Sequence, residues 1–223
     1  MELQGGRRTT IQNVNIGDKV LTMDRRGQLI YSEVYYIPHE PSDATFEYLD
    51  IHYTIQGYNA TTATMLQVTR HHLVYTSTSD ELGEIHLNSL HQLGAKDLKP
   101  GMSLVVHHQV RLCARQGPER RLKCHQDQLH WAKIDSIGTS RNIGAYTLYT
   151  MNGRFLVNGV LCSNFGDFYQ ALGASAPDAW PYAYFSTHRA LYRVLPSPST
   201  SLMLKVVNDN LIFPFLRWLN AMV

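Results

Sequence analysis

Val68-Thr69-Arg70-His71-His72-Leu73-Val74-Tyr75 decides how this chain is read. The stretch is rich in β-branched and apolar residues, which favours extended backbone. It also sets a hydroxyl and an imidazole three positions apart, at Thr69 and His72. Along an unbroken strand side chains alternate, so residues i and i+3 face opposite sides. Both groups reach one substrate only if the strand ends or turns at Arg70-His71. A hydroxyl and an imidazole meeting at such a corner can polarise a carbonyl and protonate a leaving nitrogen, which is what acyl chemistry requires. The same residues also read without chemistry, as a threonine on a sheet beside two surface histidines. Their surroundings decide between the two.

On either side, short β-like runs follow one another. Residues 46–55 and 62–68 alternate apolar and polar positions around a Gly-containing turn, the pattern of a hairpin. Upstream, Ile16-Gly17-Asp18-Lys19-Val20-Leu21-Thr22-Met23 leads through the turn Asp24-Arg25-Arg26-Gly27-Gln28 into a second run at residues 29–37. Helical patterns are scarce before residue 165, apart from a short turn within residues 88–98 that ends near Pro100-Gly101. This part is expected to be all-β. A faint internal repeat adds to that. Ile16-Gly17-Asp18-Lys19-Val20-Leu21 is similar to Pro100-Gly101-Met102-Ser103-Leu104-Val105, and each is followed by a second matching run, Tyr31-Ser32-Glu33-Val34 and Trp131-Ala132-Lys133-Ile134. The repeat predicts two similar halves. The polar, basic insert at residues 112–129 reads as an exposed loop whose thiols, Cys113 and Cys124, are incidental.

After Phe165 the character changes. Residues 167–173 and 187–195 read as helical, separated by Pro177-Asp178-Ala179-Trp180-Pro181-Tyr182, and Pro196-Ser197-Pro198-Ser199 reads as a linker. The apolar stretch 202–223 is either a helix packed back on the domain or a lipid- or sterol-facing element. The expected division is a domain over residues 1–165 and a C-terminal extension over residues 166–223.

A chain of 223 residues with 44% hydrophobic content can bury a core. Its net charge of +2 is too small, and its Lys and Arg too scattered, to point to nucleic acid. The three cysteines, Cys113, Cys124 and Cys162, form no Cys-x-x-Cys pair, so neither a zinc knuckle nor a disulfide framework is expected. The adjacent pairs His71-His72 and His107-His108 lack ligand spacing, and no metal or cofactor is expected. Met1-Glu2-Leu3-Gln4-Gly5-Gly6 is no signal peptide, and it reads as a chain beginning inside a strand and turn. No apolar run reaches the roughly 18–20 residues that span a bilayer. Asn59-Ala60-Thr61 is a glycosylation sequon, weak support for secretion.

Five motifs in order carry a resemblance. They are Ile16-Gly17-Asp18-Lys19-Val20-Leu21; Gly27-Gln28-Leu29-Ile30-Tyr31-Ser32-Glu33-Val34; the Thr-x-x-His box at Thr69 and His72; Leu98-Lys99-Pro100-Gly101; and Gly144-Ala145-Tyr146-Thr147 with Gly153-Arg154-Phe155-Leu156-Val157-Asn158-Gly159-Val160-Leu161. Over residues 2–165 the sequence resembles the Hog domain of Hedgehog-type proteins, within the Hint (Hedgehog/intein) superfamily. More loosely, the region beyond Phe165 resembles the sterol-recognition extension that follows it. The resemblance implies an all-β, pseudo-two-fold horseshoe with a short, partly helical C-terminal extension. It also implies self-cleavage in cis: a cysteine attacks the peptide carbonyl before it, and a sterol hydroxyl resolves the thioester. By motif match, His72 protonates the departing nitrogen and Thr69 hydrogen-bonds the scissile peptide. The implied partners are the chain's own upstream segment, cholesterol or another lipid alcohol as co-substrate, and a membrane surface. The implied location is the secretory pathway or cell exterior.

Three departures qualify the match. The family's cysteine falls roughly seven residues upstream of the position held by Met1, and none of the three cysteines of this chain occupies it. As it stands the chain cannot form the thioester. It is either read without its nucleophile segment or belongs to a processing-dead Hint scaffold that binds sterol or membrane. Second, His39 stands where the family has its sterol-activating aspartate. An imidazole near pKa 6.5 suits neutral pH better than a carboxylate near 3.9, so His39 is a candidate general base; otherwise it is a residue of a proline-flanked loop. Third, Ser163-Asn164-Phe165 replaces the family's Ser-Cys-Tyr, with Cys162 two positions early. Cys162 is a candidate disulfide partner of the nucleophile, since a two-residue shift keeps the same sheet face without guaranteeing reach; Asn164 matches the intein residue that cyclises, but Ser163 in place of the usual histidine and Phe165 without a nucleophile weigh against cyclisation.

Overall fold

The structure is a computed structural model that describes residues 1–38, 43–55, 64–77, 84–108, 113–115, 122–124, 128–166, 179–208 and 210; for 113–115, 122–124, 128 and 179–184 it describes the backbone alone. The strands run β1 Lys19–Met23, β2 Leu29–Tyr36, β3 Thr45–Ile55, β4 Thr64–Thr69, β5 His72–Ser77, β6 His91–Gly94 and β7 Ser103–His108. They continue with β8 Cys113–Arg115, β9 Leu122–Cys124, β10 Gln128–Ile143, β11 Tyr149–Thr150, β12 Arg154–Val157 and β13 Val160–Gly166. Two helices follow, α1 Ala179–Val194 and α2 Pro198–Val207. One sheet has the order β1-β2-β11, a larger one the order β12-β13-β5-β7-β10-β3-β4 with β6 beside β5, and β8-β9 form a separate pair. The all-β expectation holds.

The internal repeat is a structural one. In β1 and β2, Val20 lies opposite Ser32 and Lys19 opposite Glu33. In β7 and β10, Leu104 lies opposite Ala132 and Ser103 opposite Lys133. The approach to each strand repeats as well. Gly17 N–H donates to the Val34 carbonyl at 2.8 Å and Val34 N–H to Asp18 at 2.8 Å, while Gly101 donates to Ile134 at 2.8 Å and Ile134 to Met102 at 2.9 Å. Both glycines sit at φ +91°, a left-handed conformation that side chains disfavour, which is why Gly recurs at this step. Val20, Leu104, Val34 and Ile134 are all buried, so the repeat conserves core positions as well as the turn.

Alternation explains how the strands bury one face. In β3, Leu49, Ile51, Tyr53 and Ile55 point inward, and Leu66 and Val68 of β4 join them from the paired strand. Full burial of such side chains contributes on the order of 1.5–3 kcal/mol each. Between β12 and β13, Val157 pairs with Val160 across Asn158-Gly159, whose φ values are +48° and +85°. Positive φ at both turn residues is the two-residue hairpin geometry, and Asn-Gly is the pair that adopts it most readily.

Three expectations are corrected. The Ala179-Trp180-Pro181-Tyr182 stretch does not separate helices but opens α1. Pro181 fits there because the first turn's N–H groups have no intrahelical partner to lose. The proposed linker also starts a helix: Pro198 occupies the first turn of α2, and the Ser197 hydroxyl caps it by accepting the Thr200 N–H at 3.2 Å. The insert at 112–129 contains the β8-β9 pair and the start of β10, so it is not all loop. The helix expected at residues 167–173 lies outside the described residues.

α1 packs on β2, β11 and β13 through rings. Phe185 lies 4.6 Å from Tyr149 and 5.4 Å from Phe165, centroid to centroid, and Tyr192 lies 6.0 Å from Tyr35. Polar ties reinforce the contact. Tyr192 O–H donates to the Glu33 carboxylate at 2.9 Å, Ser201 Oγ–H donates to the Tyr35 carbonyl, and Asn208 Nδ2–H donates to the Tyr36 hydroxyl at 3.1 Å. α2 thus turns Thr200, Ser201 and Leu204 inward and leaves Leu202, Met203, Val206 and Val207 exposed. Its outward face is the more apolar one.

Candidate functional site

The strand does break where the chemistry requires it. β4 ends at Thr69, Arg70-His71 form a turn, and β5 begins at His72. The two strands then part, since Thr69 lies opposite Tyr48 of β3 while His72 lies opposite Gly166 of β13. Lys96 N–H holds the corner by donating to the Arg70 carbonyl at 2.9 Å. Thr69 and His72 both line one cavity of about 350 Å³, together with Met1, Tyr48, Phe155 and Cys162. The pair predicted from spacing is brought together.

His72 is held in a low-dielectric setting. Its ring meets Phe155 edge-on at 6.1 Å, and it hydrogen-bonds the Ser163 backbone. Burial, only partly offset by that bond, lowers its pKa from 6.5 to about 4. The imidazole is therefore neutral at pH 7, with one nitrogen engaged by Ser163 and the other available to take and return a proton. This is the state a proton shuttle needs, not that of a resident cation.

Cys162, fully buried on β13, faces the same cavity. Desolvation pushes its thiol up to about 12, so it stays protonated and is a poor nucleophile at neutral pH. Asn164 is hydrogen-bonded through both ends of its side-chain amide and through its backbone. Its Nδ2–H donates to the Thr150 carbonyl at 3.0 Å, its Oδ1 accepts the Thr150 hydroxyl at 3.3 Å, and its own N–H donates to Gly153. His39 lies outside the described residues, as does the Asn59 sequon.

Sequence reasoning missed several neighbours. Phe155 sets the environment of His72, and Asn158 reaches across to β4 by donating Nδ2–H to the Met65 carbonyl at 3.2 Å. Both stand in the Gly153-to-Leu161 motif, which marks the segment without assigning either role. Beside Thr69, Gln67 donates to Asp50 at 2.8 Å and to Ser140 at 3.0 Å, a network assembled from three strands that no local pattern announces. Among the described residues no group of three His, Cys, Asp or Glu side chains converges as a metal site.

A family model described as the Hint module matches residues 1–176, most of the chain. The chain belongs to the Hint module family. Its domains are self-cleaving or self-splicing, and the fold of this one has relatives among solved structures. A variant of the Ssp DnaB mini-intein superposes with a TM-score of 0.51 at 11% identity, covering 72% of this chain and 90% of that one. At that identity the likeness speaks for the fold. The Mvu transcription factor IIB mini-intein matches at 18% identity and TM-score 0.44, over 66% of this chain and 71% of that one. No curated protein sequence matches. The corner bearing Thr69 and His72 thus belongs to a Hint module, and both residues line its cavity.

Proposed function

We propose that this Hint module is a Hedgehog-type autoprocessing domain, which cleaves its precursor in cis and passes the upstream fragment to a sterol or similar lipid alcohol. The observation that carries this reading is the meeting of Thr69 and a neutral His72 in one cavity at the β4-β5 corner. The reaction is an acyl shift from nitrogen to sulfur. An upstream cysteine gives its proton to His72 and attacks the carbonyl before it. Thr69 hydrogen-bonds the scissile peptide, and His72 returns the proton to the leaving nitrogen as the C–N bond breaks and the C–S bond forms. An alcohol oxygen then attacks the thioester, loses its proton to a base and releases the thiol. His39 is the proposed base for that second step. The order of the five motifs supports the Hedgehog assignment, and Ser163 in place of a histidine, with Phe165 offering no nucleophile, argues against cyclisation at Asn164.

A second reading has its own observation. The outward apolar face of α2, with Leu202 63% and Val206 53% exposed, suits a sterol or membrane surface and would serve a scaffold that no longer cleaves. Both readings place the protein in the secretory pathway. One experiment separates them. A reporter is fused ahead of an upstream segment bearing the cysteine, and dithiothreitol or cholesterol is added. The autoprocessing reading expects thiol-induced release and, with cholesterol, a fragment heavier by one sterol. Thiol release that persists in His39→Ala while sterol transfer stops assigns the base; no release from a folded fusion leaves the binding scaffold.

A further inference from the structure

The two hairpins of the internal repeat are closed differently. Between β1 and β2 a short turn suffices, with the Asp24 carboxylate accepting the N–H groups of Arg26 and Gln28 at 2.8 and 2.9 Å. Between β7 and β10 the last opposed residues are His108 and Gln128, and residues 109–127 take the place of that turn. Within this insert β8 and β9 pair antiparallel, with Cys113 opposite Cys124, Ala114 opposite Lys123 and Arg115 opposite Leu122. They form a two-stranded sheet of their own. An isolated pair of strands is marginal in water, because it has no third strand or helix to bury a face against. Charge weakens it further. Over residues 111–123 the basic residues Arg111, Arg115, Arg120, Arg121 and Lys123 are offset by Glu119 alone.

The register supplies what the composition lacks. Residues directly opposite across an antiparallel pair share one face of the sheet, with Cα atoms about 4.5 or 5.5 Å apart depending on the hydrogen-bonding pattern. Both separations fall within the roughly 4.4–6.8 Å that a disulfide bridges. We propose that Cys113 and Cys124 form a cross-strand disulfide that closes the insert. Local sequence makes these thiols look incidental; the pairing of β8 with β9 is what sets them opposite each other. The step is thiol–disulfide exchange with a small disulfide of the glutathione class. One cysteine thiolate attacks the oxidant's S–S bond and expels a thiolate, and the second attacks the mixed disulfide so formed and expels the other. The two cysteines give up two protons and two electrons, and the oxidant leaves as two thiols. The basic segment favours the thiolate, which is the attacking species. The third cysteine does not compete, since Cys162 is buried on β13 opposite Phe155. The bond persists in an oxidising compartment and is lost in a reducing one. This goes beyond the autoprocessing reading and stands whether or not the module cleaves.

The test equilibrates the folded 1–223 chain with glutathione and glutathione disulfide, alkylates it in denaturant with iodoacetamide, and maps unreduced tryptic peptides by mass. The expected product joins peptide 112–115 to peptide 124–133, lighter by two hydrogens than the separate peptides, with Cys162 alone alkylated. Alkylation of both insert cysteines, or glutathione on each, overturns the proposal. A variant tests the register itself. Lys123→Cys combined with Cys124→Ser moves the thiol one position along β9, opposite Ala114 and on the other face of the pair from Cys113. In the same redox buffer its linkage to Cys113 should fall at least tenfold. Equal linkage in the two chains overturns the proposal as well, since chance encounter in an open loop would then account for the bond.

Discussion

At the scale of the residue, two histidines tie this fold to pH. Burial lowers His72 to about 4, and burial with the Arg189 charge beside it lowers His188 to about 4. A histidine depressed in the folded state binds its proton more readily when unfolded, so the unfolded state gains as pH falls below 6.5. The stability these groups contribute is whole above pH 6.5 and is lost between there and pH 4, by ~1–3 kcal/mol for each. Urea midpoints measured at pH 7.5, 5.5 and 4.5 should fall in that order, and His188→Asn should flatten the slope. A midpoint independent of pH over this range contradicts the assignment. Asn164 is a second residue-scale case. Asn164→Ala strips the Thr150 carbonyl of its buried donor and should cost ~1–3 kcal/mol in denaturant unfolding. Cleavage chemistry should survive in the folded fraction, because the amide takes no part in it.

At the scale of the element, the β12-β13 hairpin and α2 make opposite kinds of prediction. A Cβ on Gly159 would stand 2.6 Å from the His107 carbonyl oxygen, and the residue's φ of +85° disfavours any side chain. Gly159→Val should therefore destabilise by ~2 kcal/mol or more, read as a lowered thermal midpoint. On α2 the double change Leu202→Glu and Val206→Glu touches only exposed positions and should leave the thermal midpoint nearly unchanged. If the helix meets lipid, the same change abolishes sedimentation with phosphatidylcholine–cholesterol vesicles; unaltered sedimentation removes α2 from that role. These elements also show what the sequence makes legible. The β1-β2 and β7-β10 hairpins could be matched because Gly17 and Gly101 repeat a turn that only glycine takes easily. The start of α1 was misplaced because Pro181 signals a break, yet in a first turn it breaks nothing. Short polar-looking pieces such as Pro196-Ser197-Pro198 hide a cap and a first helical position, since capping residues and linker residues are the same types.

At the scale of the whole molecule, the site is an outcome of topology. Thr69 and His72 were legible as a pair because they are neighbours in sequence and only a turn was needed to bring them together. Phe155, Cys162, Met1 and the end of β4 come from distant parts of the chain, and only the arrangement of the sheets assembles them around one cavity. The family match and the mini-intein fold agree on this architecture. The proposed acyl shift in this cavity runs through Thr69 and His72. The most direct measurement is thiol-induced release, followed by gel and mass, of a reporter fused ahead of a cysteine-bearing segment joined to Met1. His72→Ala and Thr69→Ala are compared with the parent fusion, with circular dichroism confirming that each is folded. The acyl shift requires release from the parent, a loss of at least 100-fold in rate for His72→Ala, and a smaller loss for Thr69→Ala. Undiminished release from a folded His72→Ala protein contradicts it.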